Sequence, residues 1–473
     1  MKVRICREND PRRPFYVELC RAYGWEVTEG EDFDLLWDLD PPKQARYLSV
    51  GEHQRYSHVW GVGELSIKSR LDQNLVAHRH LLGERGERLY DYFPRSFLMP
   101  DDYDDLVAAA AEEPGTVWIQ KPKWLSRGRG IELVKQIDQV PRGPEWMIQE
   151  YIAWPHLLGE RKYTLRFYVL IASLDPLVVY VHDGGFCKFA SRPFSLVNEA
   201  AEDRFRHLTN PDVLRDDPTM PVVSGDNLTH AAYRQRLRDE GLDDVALFAE
   251  IHRIIALTVI ATRGQIMRRH RLAGLDWQRG FELMGFDILV DDALLPWLLE
   301  CNLLPSLEVE AEPETDSARD EHEVKWSVVR DLFGFFADGA PIEEPRSRGF
   351  ARVLPAEAHR SLLSAYSLPL ASDLVLWHRL FGMGAPSFRV LPDGVTIRQD
   401  DGEQLVLHDD ATGEEQILDG EEAALWRRIG DGVDLRALVE PLPLEEQPDA
   451  WDHIAWWIDT GLLRRQETPA LPT

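Results

Sequence analysis

At 473 residues the chain is too long for one ordinary core, and roughly 150 residues per domain suggests about three. With 44% hydrophobic and 28% charged residues it is far too apolar to be disordered. A net charge of −28 repels nucleic acid and anionic membranes in general, although a local basic groove could still bind an anion such as ATP.

The opening MKVRICREND turns charged too soon for a secretory signal. Residues 1–100 read as an N-terminal mixed α/β domain: a strand-like start, FDLLWDLD, a helical stretch near Lys68–Glu84, and the Pro-marked loop YDYFPRSFLMPDD. From 101 to 340, strands and helices alternate. TVWIQKPK, WMIQEYIA, YTLRFYVLIA, PLVVYVHD, FELMGFDILV and PWLLECNLL are rich in β-branched and aromatic residues, and HDGGF reads as a tight turn between two strands. The most apolar run, Phe167 to Val181, is broken by Asp175-Pro176 and falls short of a membrane span. Residues 244–271 carry Leu247, Ile251, Ile254 and Val259 at helical spacing, and EVKWSVVRDLFGFF closes the unit as a helix.

Residues 341–383 read as a linker, continuing the Pro/Glu-rich DGAPIEEPRSRG, with a short helical stretch. A small unit follows at 384–465. Its expected elements are strands SFRVLP, VTIRQD and QLVLHD, a DATGEEQ turn, and helices LDGEEAALWRRI and DAWDHIAWWIDTGLL, the last running into GLLRR. The four cysteines (Cys6, Cys20, Cys187, Cys301) are scattered without a CxxC, which argues against zinc or a disulfide framework and suits a reducing cytoplasm.

Three patterns carry chemistry. A strand delivers Lys121 into a loop with Gly128 and Gly130 flanked by Arg127 and Arg129. Glycines let backbone N–H groups close on phosphates, and lysine supplies a point charge. The spacing fits neither a P-loop nor GxGxxG, and a basic surface hairpin is an equal alternative. In GFDILVDD, Asp287 has the opposite parity to Phe286 and Ile288, and in WLLECNLLPS, Glu300 and Asn302 share a face. Three hard oxygen donors in apolar strands suit a magnesium–nucleotide site; edge-strand residues facing water are the alternative. Cys301 between them points the other way, into a core. In RKYTLRFY, Lys162, Thr164 and Arg166 share one strand face. Such a cationic strip suits carboxylate or phosphate recognition, against the alternative of a solvated surface.

These stretches, with FPRSFLMP, HLTN at 207–210 and MIQEYIAWPHLLGERKYTLRFYVLI, occur in an order that resembles the tubulin–tyrosine ligase-like family of ATP-grasp ligases over about residues 30–335. The resemblance implies an α/β ATP-grasp fold whose two lobes fill residues 101–340. It implies ATP and magnesium as cofactors, and phosphorylation of a carboxylate followed by amine attack to form an amide. Lys68 and Lys121 would contact ATP phosphates beneath the Arg127–Gly130 loop, and Gln149, Glu150, Tyr151 and Ile152 would form the adenine hinge. Asp287, Glu300 and Asn302 would hold magnesium, and Asn210 would lie near the γ-phosphate. Lys162 and Arg166 would flank the amino-acid and acceptor pocket. Two positions depart from the family: Thr164 replaces the aspartate of K-F-D-x-R, and Lys188 replaces an arginine. The ATP half is intact; the amino-acid half is altered.

The C-terminal unit resembles the small winged-helix RiPP recognition element of peptide-maturation systems, through VLPDGVTIRQDDGEQLVLHDDATGEEQILDGEEAALWRRIGDG. That implies capture of a leader peptide by strand addition. The expected protein is therefore a carboxylate–amine ligase acting on a ribosomally made peptide or protein, with no nucleic-acid or membrane partner. Alternatives are a small-molecule amino-acid ligase and a non-catalytic peptide-binding adaptor.

Overall fold

A computed structural model describes residues 1–7, 10, 12–51, 53–125, 127–197, 203–219, 227–275, 277–307, 315–337 and 346–366, with much of 388–438 and scattered positions to 467. The chain forms two compact units, residues 1–80 with 84–359, and residues 81–83 with 360–473. Both mix helices and sheets, in keeping with the α/β class expected.

The first unit begins with a parallel sheet in which Lys2–Ile5 lies between Glu26–Val27 and Leu35–Trp37, and Arg55–Tyr56 pairs outside Leu35–Trp37. Val3, Ile5, Leu35 and Leu36 are buried, as the apolar spelling of these strands requires. The helix expected to reach Glu84 runs over Lys68–Leu81 and stops where Gly83 adopts φ +55°, a left-handed position that glycine tolerates.

A second sheet is antiparallel and lies in the order Ser96–Leu98, Trp146–Glu150, Trp118–Pro122, Glu132–Leu133. The YDYFPRSFLMPDD segment is thus only partly a loop. Ser96–Leu98 pairs with Met147–Gln149, and Phe97 and Met99 bury against Trp118 and Ile148, a gain that outweighs the flanking prolines.

The third sheet has eight strands. Its main path runs Pro296–Leu303, Glu282–Val290, Arg161–Leu174, Leu177–Phe189, Phe350–Leu354, Arg346–Ser347. Two expectations fail here. HDGGF is no turn: Leu177–Phe189 is one strand, and the hairpin reverses at Asp175-Pro176. Gly184 and Gly185 sit instead at a register shift. A Cβ on Gly185 would lie 2.3 Å from the Arg166 carbonyl and 2.2 Å from His230, so the pair serves close approach rather than reversal. The 341–383 linker is also too long as drawn, because Phe350–Leu354 completes the sheet beside Val179–His182. Leu247, Ile251, Ile254 and Val259 are all buried on helix Asp244–Leu272, each contributing about 2 kcal/mol by leaving water.

Among the described residues, the second unit has two three-stranded sheets. Phe388–Pro392 lies between Val433–Asp434 and Leu463–Glu467; Val395–Asp400, Gln404–Asp409 and Glu415–Asp419 form a meander into helix Gly420–Ile429. Glu415–Asp419 replaces part of the expected turn, since Leu418 buries opposite Leu405. The GLLRR end is a strand, not helix, because Arg464 and Arg465 find a backbone partner in Val390–Leu391. Most of DAWDHIAWWIDTGLL lies outside the described residues.

Candidate active site

The strand Arg161–Leu174 is central in its sheet and buried on both faces. Tyr163, Leu165 and Phe167 face one core. Lys162, Thr164 and Arg166, on the other face, are also buried, so the solvated-surface reading is overturned. Burying three polar side chains in a row is costly unless each is paired. The pairing comes from the register: Thr164 lies opposite Lys188, Arg166 opposite Asp287, and Asp287 opposite Glu300.

Asp287 is the hub. Arg166 donates to it bidentately, Nε to Oδ1 at 2.7 Å and the terminal amino nitrogen to Oδ2 at 2.9 Å. Lys188 Nζ lies 3.1 and 3.3 Å from its two oxygens. Asn302 Nδ2 donates to Asp287 Oδ2 at 3.0 Å and to Glu300 Oε1 at 3.2 Å, so the three expected metal residues converge. Burial favours the neutral carboxyl of Asp287, but the Arg166 and Lys188 charges prevail and hold it well below the usual carboxylate range. Lys68 Nζ reaches Glu300 Oε2 at 3.3 Å and donates to the Leu125 carbonyl at 3.1 Å.

A cleft opens over this cluster. Lys68, Lys121, Arg127, Gly128, Gln149, Glu150, Tyr151, Ile152, Lys162, Thr164, Lys188, Asn210, Asp287 and Glu300 all line it. Arg166, Asn302 and Gly130 do not. Arg166 is expected beside the amino-acid pocket; here its Nε and one terminal nitrogen hold Asp287. Reading from single strands also missed Ile119, Leu289, His207 and Thr209. Strand parity was the available signal for Ile119, two from Lys121, and for Leu289, two from Asp287. His207 and Thr209 stand in the HLTN motif itself.

Two of the lysines, Lys121 and Lys162, are aimed by neutral partners. Lys121 Nζ donates to Gln149 Oε1 at 2.5 Å, and Gln149 in turn donates to Ser96 Oγ at 2.9 Å. Gln149, expected in the adenine hinge, therefore positions Lys121 through its side chain. Lys162 Nζ donates to Tyr151 Oη at 2.9 Å, which lies 3.0 Å from His207 Nδ1. Thr164 shares a hydrogen bond of 2.8 Å with Thr209. Burial pushes the Lys162 ammonium down to about 7, with Lys121 adding to the shift. Burial likewise lowers Lys121 to about 8 against the pull of Glu300, and Lys188 to about 8 with the help of Arg166.

The glycine loop is built for close approach. Gly128 has φ +71°, and a Cβ there would come within 2.7 Å of Val213 Cγ2. Gly130 has φ +69° and packs on Pro122. Arg127 is exposed and pairs with Asp212 at 3.6 Å, so the loop docks against the segment that carries Asn210.

A buried face of lysines over a carboxylate cluster, flanked by a glycine loop, has the charge to take an anion. Comparison with known proteins gives the family. The Tubulin-tyrosine ligase family matches residues 45–333, which hold all the cleft residues named above. This chain belongs to the tubulin-tyrosine ligase family. It is 34% identical over 357 residues to mouse "Probable tubulin polyglutamylase TTLL2", covering 71% of this chain and 62% of that protein. Human "Tubulin polyglutamylase TTLL5" is 30% identical over 331 residues, 68% of this chain and 25% of the relative. Mouse "Tubulin monoglutamylase TTLL4" is 29% identical over 296 residues, 61% and 24% respectively. The chain thus spans less than two thirds of each of these relatives.

Proposed function

We propose that this chain is an ATP- and magnesium-dependent ligase that joins an amino acid or another amine to a carboxylate of a peptide or protein. The observation that carries the reading is the convergence of Lys68, Lys121, Lys162 and Lys188 on a cleft floored by Asp287 and Glu300. Family membership supplies the reaction class.

The residues fit a magnesium ion: two carboxylates and an amide offer hard oxygens within one hydrogen-bonded cluster, and cations already balance their charge. Asp287, Glu300 and Asn302 would hold it. The ion, when bound, supplies charge neutralisation for the transferring phosphoryl group. Lys68 and Lys121 then bind phosphate oxygens, and the Arg127–Gly130 loop covers them with backbone N–H groups. At the hinge the Tyr151 amide already donates to the Val117 carbonyl at 2.8 Å, so Ile152 is the position that meets the adenine edge. An acceptor carboxylate oxygen bonds the γ-phosphorus as the bond to ADP breaks. The amine nitrogen next bonds the acyl carbon, phosphate leaves, and the nitrogen gives up a proton. Asn210 and Lys162, which line the cleft, would stabilise the developing negative charge.

The finer reading is that the acceptor is a ribosomally made precursor peptide held by the C-terminal unit as by a RiPP recognition element. It is supported by the short strands and the lysine-free, acidic composition of residues 384–465. The relatives' names specify glutamylation of tubulin. Thr164 and Lys188 support a different amine here. Four free, buried cysteines support action in a reducing cytoplasm.

Glu300→Gln tests the core claim. It preserves size and hydrogen bonding but removes a charge from the metal site, so magnesium-dependent ADP release is expected to fall by at least about a hundredfold with the melting temperature little changed. Full magnesium-dependent turnover in this variant would overturn the assignment.

A further inference from the structure

Asp287 is saturated. A carboxylate offers about four lone-pair sites. Arg166 takes two, Asn302 one, and Lys188 lies within bonding distance of both oxygens. A metal ion that uses Asp287 as a ligand must therefore displace one of these donors.

The three are not equally able to leave. Arg166 is planar, bidentate and directly opposite Asp287 in the register, and it does not line the cleft. Asn302 bridges both carboxylates and becomes a ligand itself when its amide turns over. Lys188 makes the longest contacts, at 3.1 and 3.3 Å, and lines the cleft on a flexible four-carbon stem. It lies on the neighbouring strand opposite Thr164, whose hydroxyl is bonded to Thr209 and which offers no carboxylate in exchange. An ammonium released from Asp287 stays in the cleft, opposite Thr164 in the register, without its carboxylate partner.

We infer that Lys188 is a handover residue: it neutralises Asp287 until magnesium–nucleotide arrives, and is then released to bind a carboxylate of the second substrate. The inference rests on the ligase reading above. It makes binding ordered, with metal–nucleotide first, because the anion site does not exist until Asp287 has exchanged Lys188 for the metal. An arginine at 188, fixed by planar bidentate pairing, would not make this exchange as readily.

Titration calorimetry of the full chain tests this without turnover. The probes are magnesium with AMP-PNP, a non-hydrolysable ATP analogue, and glutarate, a dicarboxylate without an amine. Glutarate is expected to bind roughly tenfold more tightly once magnesium–AMP-PNP is bound, and linkage requires the reverse effect to be equal. AMP-PNP without magnesium should not produce the gain. In Lys188→Met, which retains the stem in a buried position, magnesium–AMP-PNP should bind at least as tightly as in the wild type, while the glutarate coupling disappears. Glutarate that binds both states of the wild type equally, or neither, overturns the handover, as does coupling that survives in Lys188→Met. A wild-type protein that binds no magnesium–AMP-PNP would defeat the ligase reading itself.

Discussion

Lys162 and Lys121 show what burial does to a lysine that lines the cleft. Both are held by neutral oxygens, Tyr151 Oη and Gln149 Oε1, rather than by carboxylates, so desolvation lowers them to about 7 and about 8. A polyanion restores their charge. Nucleotide binding should therefore take up protons, and affinity should fall as pH rises from about 7 toward the ordinary lysine value near about 10. The sign follows because the free lysines lose their protons first and the complex keeps them. Calorimetry in buffers of different ionisation enthalpy measures the uptake; proton release at pH 8 would contradict it. Thr164 gives a second residue-scale expectation. Facing Lys188 and bonded to Thr209, it offers no negative charge to pair with an α-ammonium group. Thr164→Asp should raise kcat/KM for free α-amino acids by about tenfold in an ADP-release screen, the worth of one charge-assisted hydrogen bond. Wild-type preference for free glutamate or tyrosine with ordinary affinity would count against the argument.

At the scale of elements, the glycine loop is the part most sensitive to a single methyl group. Gly128→Ala meets both a left-handed φ, which costs about 1–2 kcal/mol for a residue with a Cβ, and a 2.7 Å approach to Val213. The loop should lift from the 210–213 segment. We expect KM for ATP to rise several-fold with the melting temperature little moved, because the loop is a small part of its sheet; an unchanged KM would mean that the loop does not cover the nucleotide. The same scale shows which elements were legible. Helix Asp244–Leu272 was readable because apolar residues recur every three to four positions over a long span. The strand Leu177–Phe189 was misread at HDGGF. A glycine pair signals reversal and close approach equally well, and His230, which makes it close approach, is far away in sequence. Ser96–Leu98 and Leu463–Glu467 were missed because short strands are decided by a distant backbone partner.

For the whole molecule, division into two compact units predicts separable roles. All the candidate ATP and metal residues lie in the first unit, and the second contains no lysine. Removing residues 360–473 should leave nucleotide binding near normal while raising KM for a full-length peptide substrate, since tethering sets a local concentration of about millimolar. Equal KM values for the two forms would reduce the second unit to packing. The sequence alone determined which residue types meet in the site, because strand parity places Lys162 with Arg166 and Glu300 with Asn302 whatever the fold around them. The family resemblance it carries implies an intact ATP half and an altered amine half. Only the tertiary structure decided that Arg166 and Lys188 share Asp287 and that Gln149 aims Lys121. Each of these is a pairing between strands, set by register, and register depends on how distant segments bury their other faces together.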